Sequence, residues 1–138
     1  QLSYMESTGR GNDADIITLK QYYSLLEIKD YMLISSANNC KNPPTTILYF
    51  YKTSCRDCDK QGEVLTYIRQ HYTDNIRIYS FDYDLNVSAI KTLATLYKVR
   101  RTFPALVING KAYDGFHSVE TLQTLVPQLT STSTKKTK

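Results

Sequence analysis

The sequence predicts an α/β domain, a mixed central sheet flanked by helices, with an N-terminal helical extension. Three observations carry this. Thr45-Thr46-Ile47-Leu48-Tyr49-Phe50-Tyr51 is β-branched and aromatic with no polar alternation, which marks a strand covered on both faces. Helical and strand periodicities alternate after it, and a βαβ order implies parallel pairing. Asn109-Gly110 separates two short strand-like runs, and that dipeptide favours a two-residue hairpin, so one strand is antiparallel. A chain of 138 residues suffices for one such domain.

Residues 1–14 are polar, contain Gly9 and Gly11, and read as a flexible lead-in. Ile16, Leu19, Tyr23 and Leu26 recur at helical spacing, with Tyr22 and Leu33 widening the stripe, so a helix is expected to about Ser36 with Asp13 or Asp15 as its cap. Read alone, Ile16-Ile17-Thr18 also fits a short strand. Asn38-Asn39 and Pro43-Pro44 make residues 37–44 a loop. After the first strand, a helix is expected from Cys55 to about Tyr72, with Val64, Leu65, Ile68 and Tyr72 on one side and Gly62 weakening or kinking it. Residues 76–81 form the second strand, ending at Asp82. Asn86 or Asp84 is then positioned to cap a helix carrying Ile90, Leu93, Ala94 and Tyr97.

Thr102-Phe103-Pro104 leads into a strand at residues 105–108. Lys111-Ala112-Tyr113 is its hairpin return, and Gly115 ends it. A last helix carries Val119, Leu122, Leu125 and Val126. Residues 130–138 are Ser, Thr and Lys only, bury nothing, and are expected to be disordered, leaving 15–129 as the folded domain.

Composition narrows the function classes. Apolar residues make up 41% of the chain, too many for a disordered protein. Twelve tyrosines with no tryptophan favour real β content. The net charge of +4 comes from Lys and Arg spread along the chain, which reads as solubility and not as a nucleic-acid footprint. No stretch is long and apolar enough to cross a bilayer. Three cysteines are too few for a disulfide-stapled scaffold.

Cys55-Arg56-Asp57-Cys58 carries the chemistry. Cys55 falls just past a buried strand, at the first turn of a helix, where unpaired N–H groups and the positive end of the dipole stabilise a thiolate. Cys58 lies one helical turn on, within reach of Cys55 and more buried. Cys55 is therefore the attacking thiol and Cys58 the resolving one. Arg56 favours the thiolate and Asp57 opposes it. Two other readings stay open. The pair forms half a zinc site if Cys40, His71 or His117 completes it, or it closes a structural disulfide in a binding or scaffold module.

With Thr102-Phe103-Pro104 before a hairpin strand, the motif resembles the thioredoxin superfamily over residues 45–129, extending back toward Ile16. The resemblance implies a cis bond before Pro104, packed beside the cysteines. It also implies a backbone at Thr102 and Phe103 that pairs with a bound substrate strand, so Thr102, Phe103 and Pro104 are the expected substrate-binding residues. It implies thiol–disulfide exchange with protein thiols and disulfides, a redox recycling partner, and no metal or organic cofactor.

Three departures from thioredoxin stand out. Ser54 replaces the Trp before the motif, and Arg56-Asp57 replaces Gly-Pro. Tyr49 and Ser80 stand where thioredoxin has a buried Asp and its Lys partner. The chain thus looks more like an extracytoplasmic relative, periplasmic, secreted or membrane-tethered, with a tether upstream of Gln1 as a further expectation. Cys40 is expected to be a partly buried free thiol, and His71 and His117 surface residues. Asn86-Val87-Ser88 matches a glycosylation sequon, relevant only in a secreted eukaryotic chain.

Overall fold

The computed structural model describes residues 13–36, 43–72, 75–126 and residue 129. Residues 1–12 of the expected lead-in, Cys40 with residues 37–42 of the expected loop, and the expected tail at 130–138 lie outside the described residues. Chain order is helix α1 (Asp13–Ser35), strand β1 (Thr45–Tyr51), helix α2 (Arg56–His71), strand β2 (Ile76–Asp82), a single 3-10 turn (Tyr83–Leu85), helix α3 (Ser88–Leu96), strands β3 (Ala105–Ile108) and β4 (Lys111–Asp114), and helix α4 (Val119–Leu125).

The sheet order is β2-β1-β3-β4. β1 and β2 run parallel, with Thr45 opposite Ile76 and Tyr49 opposite Ser80. β1 with β3, and β3 with β4, are antiparallel. The mixed α/β sheet expected from the sequence is the one that forms. β1 is buried along nearly its whole length because it lies between two cores. Leu48 and Phe50 face Phe81, Ile90 and Val107, while Ile47 and Tyr49 face Leu65, Ile68 and Leu122. Each such side chain contributes about 1.5–3 kcal/mol on burial. Asn109 and Gly110 both have positive φ, 49° and 88°, the geometry of a type I′ hairpin. The Asn109 side chain also accepts the Thr46 N–H at 3.0 Å, and its own N–H returns to the Thr46 carbonyl.

Several local expectations are corrected. Most of the expected stripe of α1 faces solvent: Tyr22 is 57% exposed and Leu33 64%, with Tyr23 and Leu26 exposed and only Ile16 and Leu19 half-buried, while Ser24 and Tyr31 are buried. Apolar residues recur all round this helix, so spacing alone selects no face. Polar anchors select it together with Tyr31, which is part of the core, and Ile28, which packs against it. Gln21 donates to the Leu85 carbonyl, Glu27 accepts the Ser80 N–H on the open edge of β2, and Asp30 accepts the Tyr79 hydroxyl.

Neither Asn86 nor Asp84 caps α3. It starts after Val87 with no side-chain cap, and Asp82 caps the preceding turn. α2 runs unbroken through Gly62. His71 is at the surface as expected, but His117 is half-buried, its ring bonded to the Gly115 carbonyl.

Candidate active site

β1 delivers the chain to Lys52-Thr53-Ser54, and Ser54 turns it with φ of 54°, a left-handed conformation uncommon outside glycine. The segment is tied down from across the molecule. The Asp84 carboxylate accepts the Thr53 N–H at 3.0 Å and the Thr53 hydroxyl at 2.9 Å, with the Lys52 ammonium 3.8 Å away. The Thr53 N–H above all holds the Asp84 carboxyl below the usual carboxylate range.

Cys55 follows as the N-cap of α2, with φ of −129°, half-buried at the surface. Cys58 is buried, 1% exposed, and closes a disulfide to Cys55 across a Cα–Cα distance of 5.1 Å. The Cys58 N–H points at Cys55 Sγ, 3.1 Å away, in the place where a capping oxygen ordinarily sits. Arg56 and Asp57 project outward from the first turn, both exposed.

The facing loop supplies the other wall. The Phe103 carbonyl oxygen lies 4.0 Å from Cys55 Sγ, and the Phe103–Pro104 peptide bond is cis. Pro104 is buried and its carbonyl takes the Gly115 N–H at 2.8 Å. The Phe103 ring packs on Tyr83, centroids 5.0 Å apart, with Lys52 Nζ 5.8 Å from it. Thr102 is exposed beside it, after Arg101 with φ of 67°. Of the residues singled out in the sequence, the fold brings together Cys55, Cys58 and Phe103, with Thr102 and Pro104 alongside. Arg56 and Asp57 stand at the rim.

Two residues behind the pair were not assigned these roles from sequence. The Tyr49 hydroxyl donates to the Cys58 carbonyl, and burial pushes its phenol well above the ordinary range, so it remains a proton-bearing donor. Gln61 is fully buried, and its amide spans the His117 backbone, accepting its N–H at 2.7 Å and donating to its carbonyl at 3.0 Å. A signal for Gln61 was available: it sits on the face that buries Cys58, Leu65 and Ile68, where a polar group must be hydrogen-bonded. Among the described residues no three His, Cys, Asp or Glu side chains cluster to hold a metal.

No family model matches the chain, and no curated protein matches it either. Solved structures do. Thioredoxin-2, a component of malaria parasite protein secretion machinery, is 23% identical over 62% of this chain and 82% of its own, with a TM-score of 0.52. A chloroplastic thioredoxin z is 18% identical over 74% of this chain and 89% of its own, with a TM-score of 0.55. A malarial protein is 22% identical over 62% of this chain and 96% of its own, with a TM-score of 0.52. The fold of this chain is thioredoxin-like, and a CxxC disulfide stands at the start of its second helix.

Proposed function

We propose that this thioredoxin-like fold serves thiol–disulfide exchange with protein substrates, Cys55 attacking and Cys58 resolving. One observation carries the reading: Cys55 is the N-cap of α2, reachable from solvent, with its disulfide partner buried behind it. The Cys58 N–H and the positive end of the helix favour a thiolate at Cys55. Arg56 adds to that preference and Asp57 opposes it.

In the reducing direction, the Cys55 thiolate attacks one sulfur of a substrate disulfide. That bond breaks, and the other substrate sulfur leaves as a thiolate and takes up a proton. Cys58, deprotonated, then attacks Cys55 Sγ, forms the internal disulfide and expels the second substrate sulfur. Two electrons pass to the substrate, and a recycling partner restores the dithiol. The reverse sequence oxidises a substrate dithiol. The substrate's cysteine segment lies along the backbone at Thr102 and Phe103, antiparallel to it, with Pro104 closing the wall. The proximity of the Phe103 carbonyl to Cys55 supports that placement. The extracytoplasmic setting is a further part of the proposal and rests on the sequence departures at Ser54, Tyr49 and Ser80. Fractionation of tagged protein from its native host tests it, and recovery in the cytosol alone overturns it.

Cys58→Ser is expected to accumulate mixed disulfides through Cys55, visible on non-reducing gels. Cys55→Ser is expected to reduce no insulin, and full activity in that variant sinks the assignment. Equilibration against glutathione separates exchange from a structural bridge: a redox-active pair titrates between roughly −100 and −280 mV, a structural one below about −300 mV.

A further inference from the structure

A groove of about 490 Å³ runs along the outer face of α2. Asp59, Gly62, Glu63, Thr66, Tyr67 and Gln70 form its helical wall, at the i, i+3, i+4 spacing of a single stripe. Tyr49 and Tyr51 of β1 form its floor, and Cys58 closes one end with its sulfur buried. No residue of the Thr102-Phe103-Pro104 wall lines it.

Gly62 makes the room. A glycine inside a helix is about 1 kcal/mol less favourable than alanine. The fold does not demand one at this position, because a Cβ there would meet the Tyr49 hydroxyl at 3.5 Å, an ordinary contact. The missing side chain thins the cover over Tyr49, which is itself only 6% exposed, so the aromatic surface within reach is that of Tyr51 and Tyr67. The floor is aromatic: the Tyr49 and Tyr51 rings stack with centroids 5.1 Å apart. Tyr67, 42% exposed, stands on the helical wall, held against the His71 ring at 4.0 Å.

The charge of the lining is one-sided. A chain with a net charge of +4 places two carboxylates here, Asp59 and Glu63, and no Lys or Arg. Among the described residues neither carboxylate is paired with a base. Tyrosine rings beside carboxylates favour an organic cation, and a guanidinium above all, because its plane stacks on aromatic rings while its fork meets carboxylates.

The groove is an open trough. From Asp59 to Gln70 the helix advances roughly 16 Å. An open trough does not enclose a small molecule, whereas a polypeptide segment laid along it covers it. We infer that this groove binds an arginine side chain presented by a protein partner, stacked on Tyr51 and Tyr67 and paired with Asp59 and Glu63.

The test is a titration of the isotope-labelled, oxidised full chain with acetyl-Ala-Arg-Ala-amide, followed by NMR. The same peptide with citrulline, neutral and nearly isosteric, is the control. Saturable shifts are expected at Gly62, Glu63, Thr66 and Tyr67, with the citrulline peptide weaker by roughly tenfold. Gly62→Leu fills the trough and should abolish the shifts. Asp59→Asn with Glu63→Gln should weaken binding without filling it, and this pair decides the matter if Gly62→Leu does not fold. No saturable shift, shifts elsewhere on the surface, equal binding of the two peptides, or unchanged affinity in the double variant each overturns the inference.

Discussion

Asp84 and Tyr49 show how single side chains hold the cysteine pair in place. Asp84 reaches from the turn after β2 to anchor Thr53, two residues before Cys55. Its carboxyl is held low, so its contribution to stability is present above the unfolded carboxyl pKa and is lost as pH falls through the folded one. Asp84→Asn should therefore be less stable than the parent at pH 7. The gap, read from urea midpoints, should close as pH falls below about 4. Tyr49 supports Cys58 from beneath, through the backbone carbonyl. Tyr49→Phe should lower stability by about 1 kcal/mol, measured by equilibrium unfolding, with the fold retained. The cysteines were legible in the sequence because both partners lie three residues apart. The anchoring role of Asp84 was not, and for Gln61 only its place on a buried helix face was, since their partners lie 31 and 56 residues away along the chain.

At the scale of elements, edges and faces decide more than propensity. β1 and β3 were readable as runs of β-branched, aromatic and aliphatic residues, β2 as an interrupted run with Arg77 and Ser80 in it, and the hairpin as a dipeptide needing positive φ at both positions. Gly110 has φ of 88°, so Gly110→Ala should cost about 1–2 kcal/mol by urea denaturation. α1 was readable as a helix but not as a packed face, because apolar residues surround it. Its seating depends on Glu27 reaching the edge strand, and burial raises the Glu27 carboxyl above the usual range. The sign follows directly. This group favours the folded state below its unfolded pKa, and that advantage is lost as pH rises through the folded pKa. Glu27→Gln keeps an acceptor for Ser80 and removes the buried charge. Its stability relative to the parent should rise between about pH 4 and pH 7, measured as a difference in Tm. A difference independent of pH would contradict the role assigned to Glu27.

Across the whole molecule, the sheet separates two cores, with β1 and β3 contributing to both, and removing mass from either loosens the sheet from one side. Phe50 is fully buried against Phe81, so Phe50→Ala should cost about 3–5 kcal/mol in urea unfolding. By itself the sequence determined the order of strands and helices, the hairpin, and the cysteine motif past a buried strand. These depend on local spacing, on backbone preferences of single residues, and on which runs are apolar enough to be buried. Only the tertiary structure decided which face of α1 packs and which carboxylate anchors the segment before Cys55. Those outcomes depend on hydrogen-bond partners and surfaces that meet only when distant segments are folded together, and no local pattern encodes them.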